Sequence, residues 1–131
     1  MHTFKKEERL CSIKLLDKLF HSGSSFLLYP FRFTWMSIDE QEAPVKVVIQ
    51  VSKRRYKRAV DRNLIKRRIR ELYRIHKANH LYNFILAERP IGLSMSYIGK
   101  ELLPSKELEP KLLMALKTLV TAYQKSEGGL S

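Results

Sequence analysis

Cysteine is nearly missing from this chain of 131 residues: Cys11 stands alone. That excludes an intramolecular disulfide and a cysteine-based zinc site, and it fits a reducing compartment. No apolar run approaches the roughly 20 residues that a membrane helix needs. The opening residues, Met1-His-Thr-Phe-Lys-Lys-Glu-Glu, are charged where a signal peptide would be apolar. A soluble cytoplasmic protein with no membrane partner is the expectation. Also missing are a Gly-rich phosphate loop, a paired-carboxylate motif and a Ser/His/Asp arrangement, so no catalytic side chain is assigned. His76 and His80 are spaced to share a helical face, but no HExxH glutamate lies between them and no third ligand is nearby, so no metal site is assigned either.

What is present is charge of one sign in one place. The chain carries 25 Lys+Arg against 13 Asp+Glu, a net charge of +12. Of these, 12 basic and only 2 acidic residues fall between positions 53 and 77, so the rest of the molecule is close to neutral. Charge this localised implies a docking surface for a polyanion, most often nucleic acid.

The apolar content of 44% supports one folded domain, expected over residues 1–125, with 126–131 as a flexible tail. Ser12 caps a predicted helix with Ile13, Leu16, Leu19 and Phe20 on one stripe, and Gly23 is its expected stop. Residues 26–38 read as a strand with Phe31, Phe33 and Trp35 on one face and Arg32, Thr34 and Met36 on the other; Pro30 marks its start or an edge. Residues 45–52 alternate cleanly, and these two strands are expected to be antiparallel neighbours. A basic helix follows, with helical character continuing or resuming until Pro90, then a strand at 91–98 whose polar face is small (Gly92, Ser94, Ser96). A last helix carries Leu108, Leu112, Leu116, Leu119 and Tyr123. The order αββ(β)αβα predicts an α+β class two-layer sandwich.

On the basic helix, a 100° advance per residue places Leu64, Ile65, Ile69, Leu72 and Ile75 on the apolar arc. Arg62, Asn63, Lys66, Arg67, Arg70 and Arg74 fall on the opposite one, with Arg68 the misfit. Lys53, Arg54, Arg55, Lys57 and Arg58 in the preceding loop add to the same field. A solvated helix face usually mixes signs; six adjacent donors without an acidic partner need an anion to offset their repulsion. The aromatic strand admits two readings, packed core or a base-stacking platform beside the cations. A near-uniform Arg/Lys face favours phosphate contacts over base reading, which argues against a sequence-specific DNA regulator.

The segment Tyr56-x-x-Ala59-x-x-Arg62-Asn63-Leu64-Ile65-Lys66-Arg67-x-Ile69-Arg70 resembles the RNR motif of the bacterial ribonuclease P protein subunit. The likeness extends to Phe4–Leu10 (N-terminal arm), to Phe20 and Gly23 (first helix and turn), and to Val51-Ser52-Lys53 (strand end). A tyrosine frequent on that family's first strand is replaced here by Thr34. The resemblance implies a small ribosomal protein S5 domain 2-like sandwich with a left-handed βαβ crossover. It also implies partnership with a large catalytic RNA, with no obligate protein partner, in Mg²⁺-dependent removal of the 5′ leader from precursor tRNA, the metal being held mainly by RNA and substrate. RNA-binding residues would be Lys53, Arg54, Lys57, Arg58, Arg62, Asn63, Lys66, Arg67, Arg70 and Arg74. Leader-binding residues would be Phe20, Phe33 and Trp35, in a cleft between the first helix and the sheet. A ribosomal protein or RNA chaperone with the same helix but no leader cleft is the alternative.

Overall fold

A computed structural model describes residues 8–10, 12–39 and 43–128, the side chains of 127 and 128 excepted. Residues 4–7 of the expected arm and Cys11 lie outside the described residues. In chain order the elements are α1 (Ile13–Ser22), β1 (Ser24–Leu28), β2 (Phe31–Ser37), β3 (Val45–Val51), α2 (Ala59–His80), a 3₁₀ turn (Tyr82–Phe84), β4 (Ile91–Tyr97) and α3 (Ser105–Gly128). The segment 26–38 expected as a strand forms parts of two, folded into a hairpin at Tyr29-Pro30, whose peptide bond is cis; β2 starts directly after Pro30, the residue expected to mark a strand start, and β1 is the optional extra strand of the expected order. The last helix reaches Gly128, into the segment 126–131 expected as a tail, of which residues 129–131 lie outside the described residues.

The sheet order is β1-β2-β4-β3, with β2 antiparallel and β3 parallel to β4. This corrects the expected pairing: β2 and β3 are not neighbours, because β4 lies between them. The β3–α2–β4 crossover makes that insertion possible, since parallel neighbours need a long connection. It also leaves β3 on a sheet edge.

Alternation along β2 decides which layer each residue enters. Phe31, Phe33 and Trp35 join Ile65, Ile69 and Leu72 of α2 and Leu112, Leu116 and Tyr123 of α3 in one core. The α3 stripe read from the sequence is fully buried, every one of its five members showing 0% exposure. On α2 the inward face is rotated from the expected one: Leu64 and Ile75 are only half-buried, while Tyr73 and Lys77 are inside. Contact with both β3 and α3 sets that rotation.

The other sheet face carries Arg32, Thr34, Met36 and the small residues of β4, and α1 packs there through the fully buried Leu19. Ser12 caps α1 as expected, its Oγ accepting from the Leu15 N–H at 3.2 Å. Gly23 ends the helix for a reason other than the left-handed backbone expected of such a stop. Its φ is −75°, and a Cβ there would sit 2.4 Å from the Leu19 carbonyl oxygen.

Candidate nucleic-acid interface

Residues 52–58 leave the end of β3 and must turn into α2 while carrying five cations, so something has to hold the turn. Tyr56 is the anchor. Its ring is buried 6.2 Å from that of Tyr97, and its hydroxyl donates to the Gly99 carbonyl at 2.6 Å. Gly99 allows this approach, because a Cβ there would meet the Tyr97 hydroxyl at 2.6 Å and Pro30 at 3.0 Å. Burial first, then the neighbouring Tyr29, raises the Tyr56 hydroxyl above its ordinary pKa; burial likewise pushes Tyr97 up to about 12. Both therefore remain neutral donors at physiological pH. The Ser52 carbonyl accepts from the Tyr56 N–H at 3.0 Å, and Ser52 Oγ accepts from the Arg54 N–H at 3.1 Å. Lys53, Arg54, Arg55, Lys57 and Arg58 project into solvent from this braced turn.

Arg62 has a different place from the one the sequence suggested. Its Nη1 donates to the carbonyls of Tyr56 at 2.7 Å and Lys57 at 2.9 Å, so the guanidinium clasps the loop to the first turn of α2. Asp61 stands in that turn, where the positive end of the helix dipole favours it. Arg68, the misfit of the helical wheel, donates to the Leu103 carbonyl at 2.7 Å and lies half-buried.

The open cationic surface is accordingly narrower than the motif. Asn63, Arg67 and Arg70 are exposed on α2, with Lys66 half-buried beside them. Among the described residues none of Lys66, Arg67 and Arg70 has a carboxylate partner. Lys66 is the hub: it borders a hollow with Val60, Asn63, Arg67 and Arg70, another along the edge of β3, and a third with Gln50, Ser52 and Ser96 at the strand ends. Neighbouring like charges one turn apart each cost a few tenths of a kcal/mol, which a row of phosphates would reverse.

Two further assignments change. Arg74, expected in the RNA-binding set, is engaged with Glu71: its Nε donates to Glu71 Oε2 at 3.2 Å, and that bond holds the Glu71 carboxyl below the usual carboxylate range. Phe33 and Trp35, expected as leader-binding residues, are corrected to core. Phe33 has no exposed surface and packs on Phe26 and Phe31, and Trp35 lies 6.1 Å from Tyr123. A stacking platform needs an open ring face, and these two point at the helices. Phe20, on α1, remains 49% exposed.

His76 Nε2 lies 2.7 Å from Glu109 Oε2, and the His76 and His80 rings are 5.3 Å apart. Among the described residues no group of three or more His, Cys, Asp or Glu is placed to hold a metal ion, and no helix is long and apolar enough to cross a membrane.

Fold and site together define a small α+β protein with a braced cationic loop and helix face at one end of its sheet. The sequence profile of the Ribonuclease P family matches residues 4–102. The chain is 35% identical over 94 residues to the ribonuclease P protein component of Porphyromonas gingivalis, covering 71% of this chain and 67% of that one. It is 31% identical over 119 residues to the component from Chlorobium phaeobacteroides, covering 82% and 81%. In fold it is similar to the RNase P proteins of Staphylococcus aureus (TM-score 0.67, 22% identity, 86% and 94% coverage) and Thermotoga maritima (TM-score 0.67, 22% identity, 85% and 96% coverage). The chain belongs to the Ribonuclease P family. As a ribonuclease P protein component it is part of a ribonuclease, has its role in tRNA 5′ processing and works with an RNA subunit.

Proposed function

We propose that the protein binds the catalytic RNA of ribonuclease P through its braced loop and the Asn63, Lys66, Arg67 and Arg70 face of α2, and that it holds the single-stranded 5′ leader of precursor tRNA in the cleft between α1 and the sheet. The observation that carries this reading is the row of cations on α2 without a carboxylate partner among the described residues, continuous with five exposed cations on the loop. Arginine forks match phosphate oxygens in pairs, lysine supplies a mobile point charge, and Asn63 both donates and accepts at a sugar or base edge.

On the leader side, Phe20 offers an exposed ring for one base. Mg²⁺, when bound, supplies charge stabilisation at the scissile phosphate. Its donors would be phosphate oxygens of RNA and substrate; the described residues of this chain form no cage for it. The protein's part is to neutralise phosphates, orient the leader and leave the hydrolysis to the RNA.

Reconstitution tests this. With cognate RNA and Mg²⁺, the protein is expected to raise cleavage of precursor tRNA while having no nuclease activity alone, and Phe20→Ala is expected to erode the preference for precursor over mature tRNA. Cleavage indifferent to the protein would sink the reading. An intact preference in Phe20→Ala would remove the leader cleft.

A further inference from the structure

Tyr97 at the end of β4 pairs with Phe31 at the start of β2 and with Val51 at the end of β3, so the Tyr29-Pro30 hairpin and the basic loop leave the sheet at the same end. The chain leaving β4 joins them there, the Ile98 N–H donating to the Pro30 carbonyl at 2.8 Å. One peptide unit at this end is held by two tyrosines. Its carbonyl, belonging to Gly99, accepts from the Tyr56 hydroxyl at 2.6 Å, and its N–H, belonging to Lys100, donates to the Tyr29 hydroxyl at 3.0 Å. Hydrogen bonds to the two ends of one peptide polarise it in the same sense, so each strengthens the other.

The two tyrosines differ in burial. Tyr56 is 9% exposed and serves the fold, bracing the loop that carries Lys53, Arg54, Arg55, Lys57 and Arg58. Tyr29 is 53% exposed. On a hairpin turn its hydroxyl could be satisfied by water, yet it is tethered at the tip while the ring stays open. A tether removes side-chain freedom in advance, which lowers the entropic cost of stacking a flat partner on the ring. The surroundings select that partner. After burial, the Tyr56 hydroxyl feels Tyr29 and then Arg55, ahead of Glu101 and Asp61, so the open ring and a loop cation stand close to one point. An exposed ring beside cations suits an unpaired nucleotide, with cation to phosphate and ring to base.

We propose that Tyr29 is a stacking platform for an unpaired base of the RNA subunit, held beside the basic loop by the Gly99-Lys100 peptide. The inference rests on the RNA-binding reading of the loop and α2. It adds an aromatic contact that lies outside the basic motif and is separate from the ring offered by Phe20.

The test is a titration of the full chain with the RNA subunit at several salt concentrations. Stacking displaces no counterion, so Tyr29→Ala is expected to weaken association about five- to thirtyfold while the slope of log K against log salt keeps its wild-type value. Tyr29→Leu keeps apolar bulk without a π face and is expected to lose nearly as much. Tyr29→Phe keeps the ring without the tether and is expected to lose only about two- to threefold. In Tyr29→Trp the added indole is expected to be quenched on binding, with the unaltered chain, whose one tryptophan is the buried Trp35, as the blank. Wild-type affinity in Tyr29→Ala and Tyr29→Leu, or affinity lost only through a lower slope, overturns the platform and leaves the RNA-binding reading standing. With the holoenzyme, the preference of Tyr29→Ala for precursor over mature tRNA is expected to match wild type; a loss confined to precursor tRNA overturns the assignment to the RNA subunit. Failure of the unaltered protein to bind the RNA subunit overturns both readings. Should Tyr29→Ala not fold, the contrast between Tyr29→Leu and Tyr29→Phe and the quenching in Tyr29→Trp decide.

Discussion

The two halves of α2 carry cations of different kinds. In the first half Lys66, Arg67 and Arg70 face outward with no carboxylate partner among the described residues. In the second half Arg74 is held by Glu71, His76 lies against Glu109, and Lys77 is buried on Glu8. One helix thus offsets its charge internally at one end and leaves it open at the other. An exposed cation that is not neutralised within the fold costs repulsion and returns nothing until an anion arrives, so the open half is the part organised for a partner. A charge count over the whole segment cannot make this distinction.

The largest effect is expected from stripping the open half. Lys66→Ala, Arg67→Ala and Arg70→Ala together should lower the salt slope of RNA-subunit binding by about three units and weaken binding roughly hundredfold near physiological salt. The urea midpoint should hold or rise slightly, because like charges one turn apart are removed. Salt titration beside urea denaturation checks both. A slope unchanged in the triple variant would erase the difference between the halves.

Arg62 sits at the boundary and sharpens the comparison, since it belongs to the motif yet spends one nitrogen on the carbonyls of Tyr56 and Lys57. Arg62→Ala should destabilise the fold by about 1 kcal/mol, speed amide exchange over residues 53–58 in the free protein and weaken RNA binding about tenfold. Lysine keeps the charge but not the fork, so Arg62→Lys should restore little of the loop protection. Normal exchange in Arg62→Ala would return this residue to the class of plain phosphate contacts.

Local pattern made some of this legible in the sequence and hid the rest. The α3 stripe, the Ser12 cap and the basic face of α2 follow from short-range periodicity, and all three are found. Alternation identified the strands of residues 31–37 and 45–51 but said nothing of their neighbours. Their separation depends on β4, which the chain reaches only after α2. Pro30 marked the start of β2, but an aromatic run that continues through Tyr29-Pro30 hid the tight turn that pairs β1 with β2. In the candidate site, Lys66, Arg67 and Arg70 were legible as a row, whereas the stacking role given to Phe33 and Trp35 failed because one strand face cannot reveal which layer covers it. The pairing of Arg9 with Val47 and that of Glu8 with Lys77 were beyond reach for a related reason. Their partners are some 40 to 70 residues away, as in the bond from Lys77 to Glu8 with a separation of 69, and no spacing rule spans that distance.

The smallest effect is expected at Arg74, and its smallness is informative. Its partner Glu71 is exposed and one turn away, so the pair is screened by solvent and contributes little to folding. The Glu71 carboxyl is held below its ordinary pKa of 4.5 by the hydrogen bond from Arg74. A depressed carboxylate contributes its stabilisation above the unfolded pKa and loses it as pH falls through the folded one, so at neutral pH the pair is fully formed and Arg74 stays neutralised. Arg74→Ala should therefore leave the thermal midpoint and the RNA salt slope unchanged within error. If Arg74→Ala instead lowered the slope as much as Arg70→Ala does, the division between the two halves of α2 would lie nearer its C-terminus than the carboxylate contacts place it.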